Sequence, residues 1–277
     1  MQIAIEPGFR FSANNLQEYV SCPRRFELRY LLKQPYPAVI SQPELEMEQR
    51  IELGKHFHTI VNQYLSGVPK DRIVDSIRDD LLEGWFDNFL SFIKPYQKKD
   101  YLTEHTLMMP FEGFQMTSRF DLIIKIGSGK ILILDWKSTE KEPAFKYYEN
   151  RIQTILYPYL AVECAPFSSQ ANGINPGDVT MQYWFPQFPY KNIIFPYSQS
   201  NHIQNRDTLK GLILEINATS MGDFKKTENQ NRCKYCQYRT LCKRGSQAGD
   251  YQLINDEVDL DDLIENITLE SLDEIQY

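Results

Sequence analysis

The sequence contains no apolar run near the roughly 18 to 20 residues that a membrane-spanning helix needs. Its opening, Met1 to Phe11, also lacks the basic-then-apolar order of a secretory signal. These absences point to a cytoplasmic protein with no membrane partner. Five cysteines in such a chain do not make a disulfide framework, because cytosolic thiols stay reduced, so metal ligation is the first reading. No internal repeat is present, which excludes a repeat array. What remains, 42% hydrophobic and 24% charged over 277 residues, suits an ordinary globular protein with one substantial core.

Basic charge is scarce as well: the net charge is −7, which argues against a nucleic-acid binder until the acids are located. Ten of the 37 acids lie between Ser246 and Tyr277, where there is no Lys or Arg. Without those ten, 27 acids face 30 bases, a body of about +3. The chain therefore divides into a body, 1–245, and an acidic tail, 246–277. The tail reads as a disordered solubilising segment, a docking peptide, or a mimic of nucleic acid.

Ser12 and Asn14 can cap a short first helix, and Pro23 suits the first turn of a second helix through Leu32, with Cys22 at the joint. After a Pro-bearing loop, Met47, Ile51, Gly54, His58, Val61 and Leu65 form one face of a helix over 44–65. Asp71 to Ile93, with apolar residues every fourth position from Ile73, reads as one further helix, ended by Pro95. The period then changes. Leu107, Met109 and Phe111 alternate as in a strand, and two β-branched runs, 120–126 and 130–137, flank Gly127-Ser128-Gly129 as a hairpin. A helix over 151–162, a loop over 165–178, strands near 179–185 and 191–195, and a helix over 202–218 complete an α/β pattern, a mixed sheet flanked by helices.

With residues 127 to 129 as the loop, Ile126 faces Lys130 and Asp121 faces Asp135. Directly opposed carboxylates repel unless something cancels them, and a divalent cation would do so. Lys137, two residues beyond Asp135, returns to the same face of the strand. Two acids and a lysine at a strand end suit phosphodiester hydrolysis with Mg²⁺ or Mn²⁺. A salt-bridged hairpin, with Lys137 or Arg119 neutralising the acids, is the plainer reading of the same residues. Gln153 and Tyr157 are four apart on one helix face. Cys233, Cys236 and Cys242 lie close in sequence, and four thiolates suit either zinc or an iron–sulfur cluster.

The ordered set Cys22-Pro-Arg-Arg-Phe, Gly54-x-x-x-His58, Arg119-Phe-Asp121, Asp135-Trp-Lys137, Gln153-x-x-x-Tyr157 and Cys233-x2-Cys236-x5-Cys242 resembles the RecB-like nucleases of the PD-(D/E)XK type. Within them it is similar to the iron–sulfur branch, which includes the AddB nuclease domain and the CRISPR-associated RecB-like exonucleases. The resemblance implies a restriction-endonuclease-like fold. It implies that His58, Asp121, Asp135 and the Trp136 carbonyl bind the metal, that Lys137 is the catalytic lysine, and that Gln153 and Tyr157 contact substrate and support the site. It also implies a [4Fe–4S] cluster on Cys22, Cys233, Cys236 and Cys242, a clasp joining the N- and C-terminal segments. Arg232, Lys234, Arg239, Lys243 and Arg244, interleaved with Tyr235 and Tyr238 and extended by Arg24, Arg25 and Arg29, read as a phosphate- and base-contacting patch.

The expected activity is a metal-dependent deoxyribonuclease, an exonuclease on single-stranded DNA ends, with a helicase or CRISPR adaptation proteins as partners. The competing expectation is an iron–sulfur DNA-binding or adaptor subunit of a repair or CRISPR adaptation complex with little catalysis.

Overall fold

The structure, a computed structural model, describes residues 5–6, 8–35, 42–96, 100–127, 129–166, 173–234 and 236–245; of these, the side chains of 42–48 and 234 are not described. The acidic tail, 246–277, lies outside the described residues. The chain opens with β1 (Arg10–Phe11) and α1 (Ala13–Ser21). Ser12 caps α1 through a reciprocal box with Asn15, each side chain accepting from the other's backbone N–H. Cys22 then serves as both the end of α1 and the cap of α2 (Pro23–Phe26). Beyond Phe26 the expected helix widens into a π-helical turn, Glu27–Leu31, closed by the Leu32 N–H on the Glu27 carbonyl.

Next come α3 (Gln42–Ser66), α4 (Lys70–Val74) and α5 (Asp80–Ile93). The single helix expected over 71–93 is thus two. Asp79 turns its carboxylate onto the N–H groups of Leu81 and Leu82, a capping arrangement that restarts the helix. Restarting there buries Leu82 and leaves Leu81 exposed, so strict four-residue spacing does not describe the buried face.

Three long strands form the centre: β2 (Tyr101–Phe111), β3 (Phe114–Ile126) and β4 (Lys130–Trp136). After α6 (Phe145–Tyr148) and α7 (Ile152–Cys164) come β5 (Val179–Trp184), β6 (Asn192–Pro196), α8 (Gln199–Ala218) and α9 (Gln230–Lys234). β2 runs antiparallel along one edge of β3. The other edge of β3 is shared, parallel with β1 at 115–116 and antiparallel with β4 at 122–126. β5 joins β4 in parallel, and β6 joins β5 antiparallel. The parallel β4–β5 step needs a crossover, which α6 and α7 supply.

This mixed sheet is buried on both faces. One core packs α1, α7 and α8 against Ile123, Ile131, Ile133, Met181 and Tyr183. The other packs α3, α4 and α5 against Leu122, Leu132, Leu134, Trp136 and Trp184. Burial on both sides explains why β4 is continuously apolar up to Asp135. Among the described residues no helix is long and apolar enough to cross a membrane.

Candidate active site

The β3–β4 ladder pairs Ile126 with Lys130 and Leu122 with Leu134. Continued one step, it sets Asp121 opposite Asp135. On the other edge of β3, Thr103 pairs with Leu122 and His105 with Phe120. That brackets Asp121 with a second acid, Glu104 of β2. Glu104 has a left-handed backbone, φ 48°, which for a residue other than glycine costs about 1–3 kcal/mol. The alternation of β3 changes there too: Phe120 packs with the core under α7, and Leu122 with the core under α3 and α5. Asp121 sits at the change of phase.

α3 docks onto this point. Its Asn62 accepts from the Thr103 hydroxyl at 3.2 Å, and one turn earlier His58 Nδ1 lies 3.4 Å from Asp121 Oδ1. Trp136 contributes two donors, its backbone N–H to Asp121 Oδ2 at 3.1 Å and its indole N–H to His58 Nδ1 at 3.1 Å. An indole N–H only donates and a carboxylate only accepts, so the two neighbours make opposite demands on one ring nitrogen. Burial pushes the Asp121 carboxyl up. The His58 charge and hydrogen bond, the Lys137 charge and the Trp136 N–H outweigh it, and the group is held below the usual carboxylate value.

Asp135 is held differently. It is 1% exposed and Lys137 3% exposed. Lys137 Nζ lies 3.1 Å from Asp135 Oδ2, and the Gln153 amide donates to Asp135 Oδ1 at 2.6 Å. The Lys137 backbone N–H bonds to the Trp184 carbonyl at 2.9 Å, which fixes the lysine to β5 just past the end of β4. One turn along α7 from Gln153, the Tyr157 hydroxyl donates to the Arg119 carbonyl at 2.8 Å, with its ring against Phe120. α7 thus reaches both acid-bearing strands, through Gln153 to β4 and through Tyr157 to β3.

His58, Asp121, Asp135, Trp136, Lys137, Gln153 and Tyr157 are therefore brought to one region from α3, β3, β4 and α7. Among the described residues, His58, Glu104 and Asp121 are the set of three metal-ligating side chains whose ligand atoms all lie within 4.8 Å of one another. Two carboxylates and an imidazole at that spacing fit a hard divalent cation, whose oxygen ligands sit at about 2.0–2.6 Å. Asp135 is outside that tight set, engaged by Gln153 and Lys137. Glu104 is the functional candidate the motifs did not reveal.

The cysteine region joins the two ends of the body through direct contacts. Arg24 donates its backbone N–H to the Lys225 carbonyl at 2.9 Å, Arg232 reaches the Ser21 carbonyl at 3.1 Å, and the Tyr238 hydroxyl reaches the Gln34 carbonyl at 3.1 Å. Cys22, Cys233, Cys236 and Cys242 are all free and half-buried. Burial raises the Cys236 and Cys242 thiols, and Cys22 raises both further, so the sulfurs lie within electrostatic reach of one another. They do not form a set mutually within 4.8 Å among the described residues.

Part of the basic patch expected here turns inward, while Lys243 is exposed and the side chains of Lys234 and Tyr235 lie outside the described residues. Tyr238 and Arg239 are 2% and 3% exposed. Arg25 and Arg29 pair with Glu18, Arg24 pairs with Glu27, and Arg244 reaches the Thr227 carbonyl. The reason is local: the junction leaves carbonyls and buried acids that need donors.

A family model of the PD-(D/E)XK nuclease superfamily matches residues 10–243. No curated protein sequence matches the chain. Among solved structures it is similar to SSO0001, with 13% identity over 87% of this chain and 90% of that one and a TM-score of 0.41. It is also similar to an inferred exonuclease from Eubacterium rectale, with 9% identity over 79% of this chain and 84% of that one and a TM-score of 0.45. The match that decides the family is the first, because it covers the sheet, the acids and the helices that hold them: the chain belongs to the PD-(D/E)XK nuclease superfamily.

Proposed function

We propose that this protein is a Mg²⁺- or Mn²⁺-dependent exonuclease of the RecB-like kind, acting on single-stranded DNA ends and carrying a [4Fe–4S] cluster. The observation that carries the reading is the meeting of Asp121, Asp135 and Lys137 at one end of the β3–β4 hairpin, with His58 beside them. His58, Asp121, Asp135 and the Trp136 carbonyl would hold the cation. When bound, such a cation polarises a phosphodiester and lowers the pKa of water at neutral pH.

The chain's own residues do the rest. Lys137 brings a buried ammonium to the strand end, where it can orient an attacking water and stabilise anionic charge developing on phosphorus. Gln153 fixes the Asp135 carboxylate in one orientation, leaving its other oxygen to Lys137. Tyr157 pins the β3 backbone two residues before Asp121. Hydrolysis here is direct in-line attack by water, and no covalent enzyme intermediate is implied.

Cys22, Cys233, Cys236 and Cys242 would hold the cluster. Four thiolates suit zinc as well as an iron–sulfur group, and the choice of the cluster rests on the resemblance to the iron–sulfur branch of the RecB-like nucleases. The exonuclease mode and the preference for single strands rest on the resemblance to RecB-like nucleases. Linear and circular single-stranded DNA of equal length, each incubated with Mn²⁺, test the exonuclease mode, and a linear duplex of the same length, expected to be cut more slowly, tests the strand preference. Progressive shortening of the linear strand with the circle intact is expected; rapid nicking of the circle would overturn the exonuclease assignment.

A further inference from the structure

We infer that Glu104 is a further ligand of the active-site cation, and that Arg119, which pairs with it, is the positive charge the cation competes with. The inference rests on the nuclease reading above and adds a residue and an exchange to it. Three observations converge. First, β2–β3 pairing on both sides, Thr103 with Leu122 and His105 with Phe120, places Glu104 opposite Asp121. Second, the Glu104 carboxylate, the Asp121 carboxylate and the His58 ring present ligand atoms all within 4.8 Å of one another. Third, Arg119 Nε lies 3.1 Å from Glu104 Oε2, with both side chains only partly exposed.

Facing carboxylates on an antiparallel pair repel, and positive charge is needed between or beside them. The Arg119 guanidinium supplies part of it, from the strand position two residues before Asp121. A divalent cation held by Glu104, Asp121 and His58 supplies it more directly, because it contacts both carboxylates at once. Cation binding and the Arg119–Glu104 pair therefore compete for one carboxylate. Once Glu104 turns to the cation, Arg119 is released at the rim of the site, where a guanidinium suits a DNA phosphate. Metal binding would in this way prepare a phosphate contact.

The experiment is Mn²⁺ titration of the full chain without DNA, followed by the loss of the free-ion electron paramagnetic resonance signal. Glu104→Gln should weaken binding tenfold or more. Glu104→Asp, which keeps the charge but shortens the reach, should also weaken it severalfold. Arg119→Gln should tighten binding about threefold, since the competing cation is gone. Melting temperatures without Mn²⁺ should be unchanged or raised in Glu104→Gln, because a repulsion is relieved; the loss of affinity is then not a loss of fold. Wild-type affinity in Glu104→Asp would overturn the ligand assignment and leave Glu104 a distant charge. Wild-type affinity in all three variants, alongside lost affinity in Asp121→Asn, would overturn the inference and leave the nuclease reading intact. Failure of the wild-type chain to bind Mn²⁺ would overturn both.

Discussion

Gln153 holds Asp135 by an amide hydrogen bond of 2.6 Å, and both side chains are buried. The contact ties the crossover helix α7 to the acid at the end of β4. Gln153→Ala removes the donor and leaves a buried carboxylate oxygen short of a partner, which costs about 1–3 kcal/mol. Urea unfolding should show that loss of stability. Cleavage should fall with it, since Asp135 is no longer held in one orientation. Unchanged unfolding would mean that Asp135 is not held by this bond.

Lys137 and Asp135 form an ion pair almost out of solvent. Removing one partner from such a pair costs about 3–5 kcal/mol, because the remaining charge stays out of water without its counter-charge. Lys137→Ala and Asp135→Ala should each destabilise by that order. The double change Lys137→Met with Asp135→Asn leaves neither charge and should recover much of the stability without any cleavage. A double variant that cuts DNA would remove both residues from the chemistry.

Alkaline pH should weaken the fold in a defined window. Tyr159 is pushed from 10.0 up to about 12, first by burial and then by the Glu163 charge. Tyr101 is pushed from 10.0 up to about 12 by burial, with Tyr64 and Tyr96 adding to it. In the unfolded chain these phenols ionise near 10, so the folded state binds more protons above that value. Their contribution is therefore fully present below about pH 10 and is lost as pH rises through about 12. Urea midpoints compared at about pH 8 and about pH 11 should fall at the higher value; Tyr159→Phe should reduce the difference.

The outline of the fold was legible because the sheet is buried on both faces and its strands are correspondingly apolar. The three-residue loop set the β3–β4 register, and that register holds through Leu122 and Leu134. What the motifs left out is Glu104. The signal for it was local: Glu112-Gly113 joins Phe111 to Phe114 as a two-residue hairpin, both residues at positive φ, 49° and 84°. Counting back from that turn brings Glu104 opposite Asp121. The break between α4 and α5 was missed because apolar spacing alone does not register a capping aspartate such as Asp79. The inward turn of Tyr238 and Arg239 was missed for another reason: a basic run looks the same in sequence whether its donors meet phosphate or buried carbonyls.

The cysteine region should behave as a clasp. Cys236→Ser should bleach the visible absorption of anaerobically purified protein and lower its melting temperature, by about 2–4 °C for each kcal/mol lost. Colourless wild-type protein containing zinc would overturn the iron–sulfur assignment while leaving the nuclease reading intact.

The central claim is metal-dependent hydrolysis of DNA by the acids at the β3–β4 hairpin. End-labelled single-stranded DNA, incubated with anaerobically purified protein and Mn²⁺, tests it most directly when wild type is compared with Asp121→Ala and Asp135→Ala. The account predicts degradation by wild type that EDTA abolishes and neither variant supports. Equal degradation by wild type and both variants, or DNA bound but uncut with either Mn²⁺ or Mg²⁺, would contradict it.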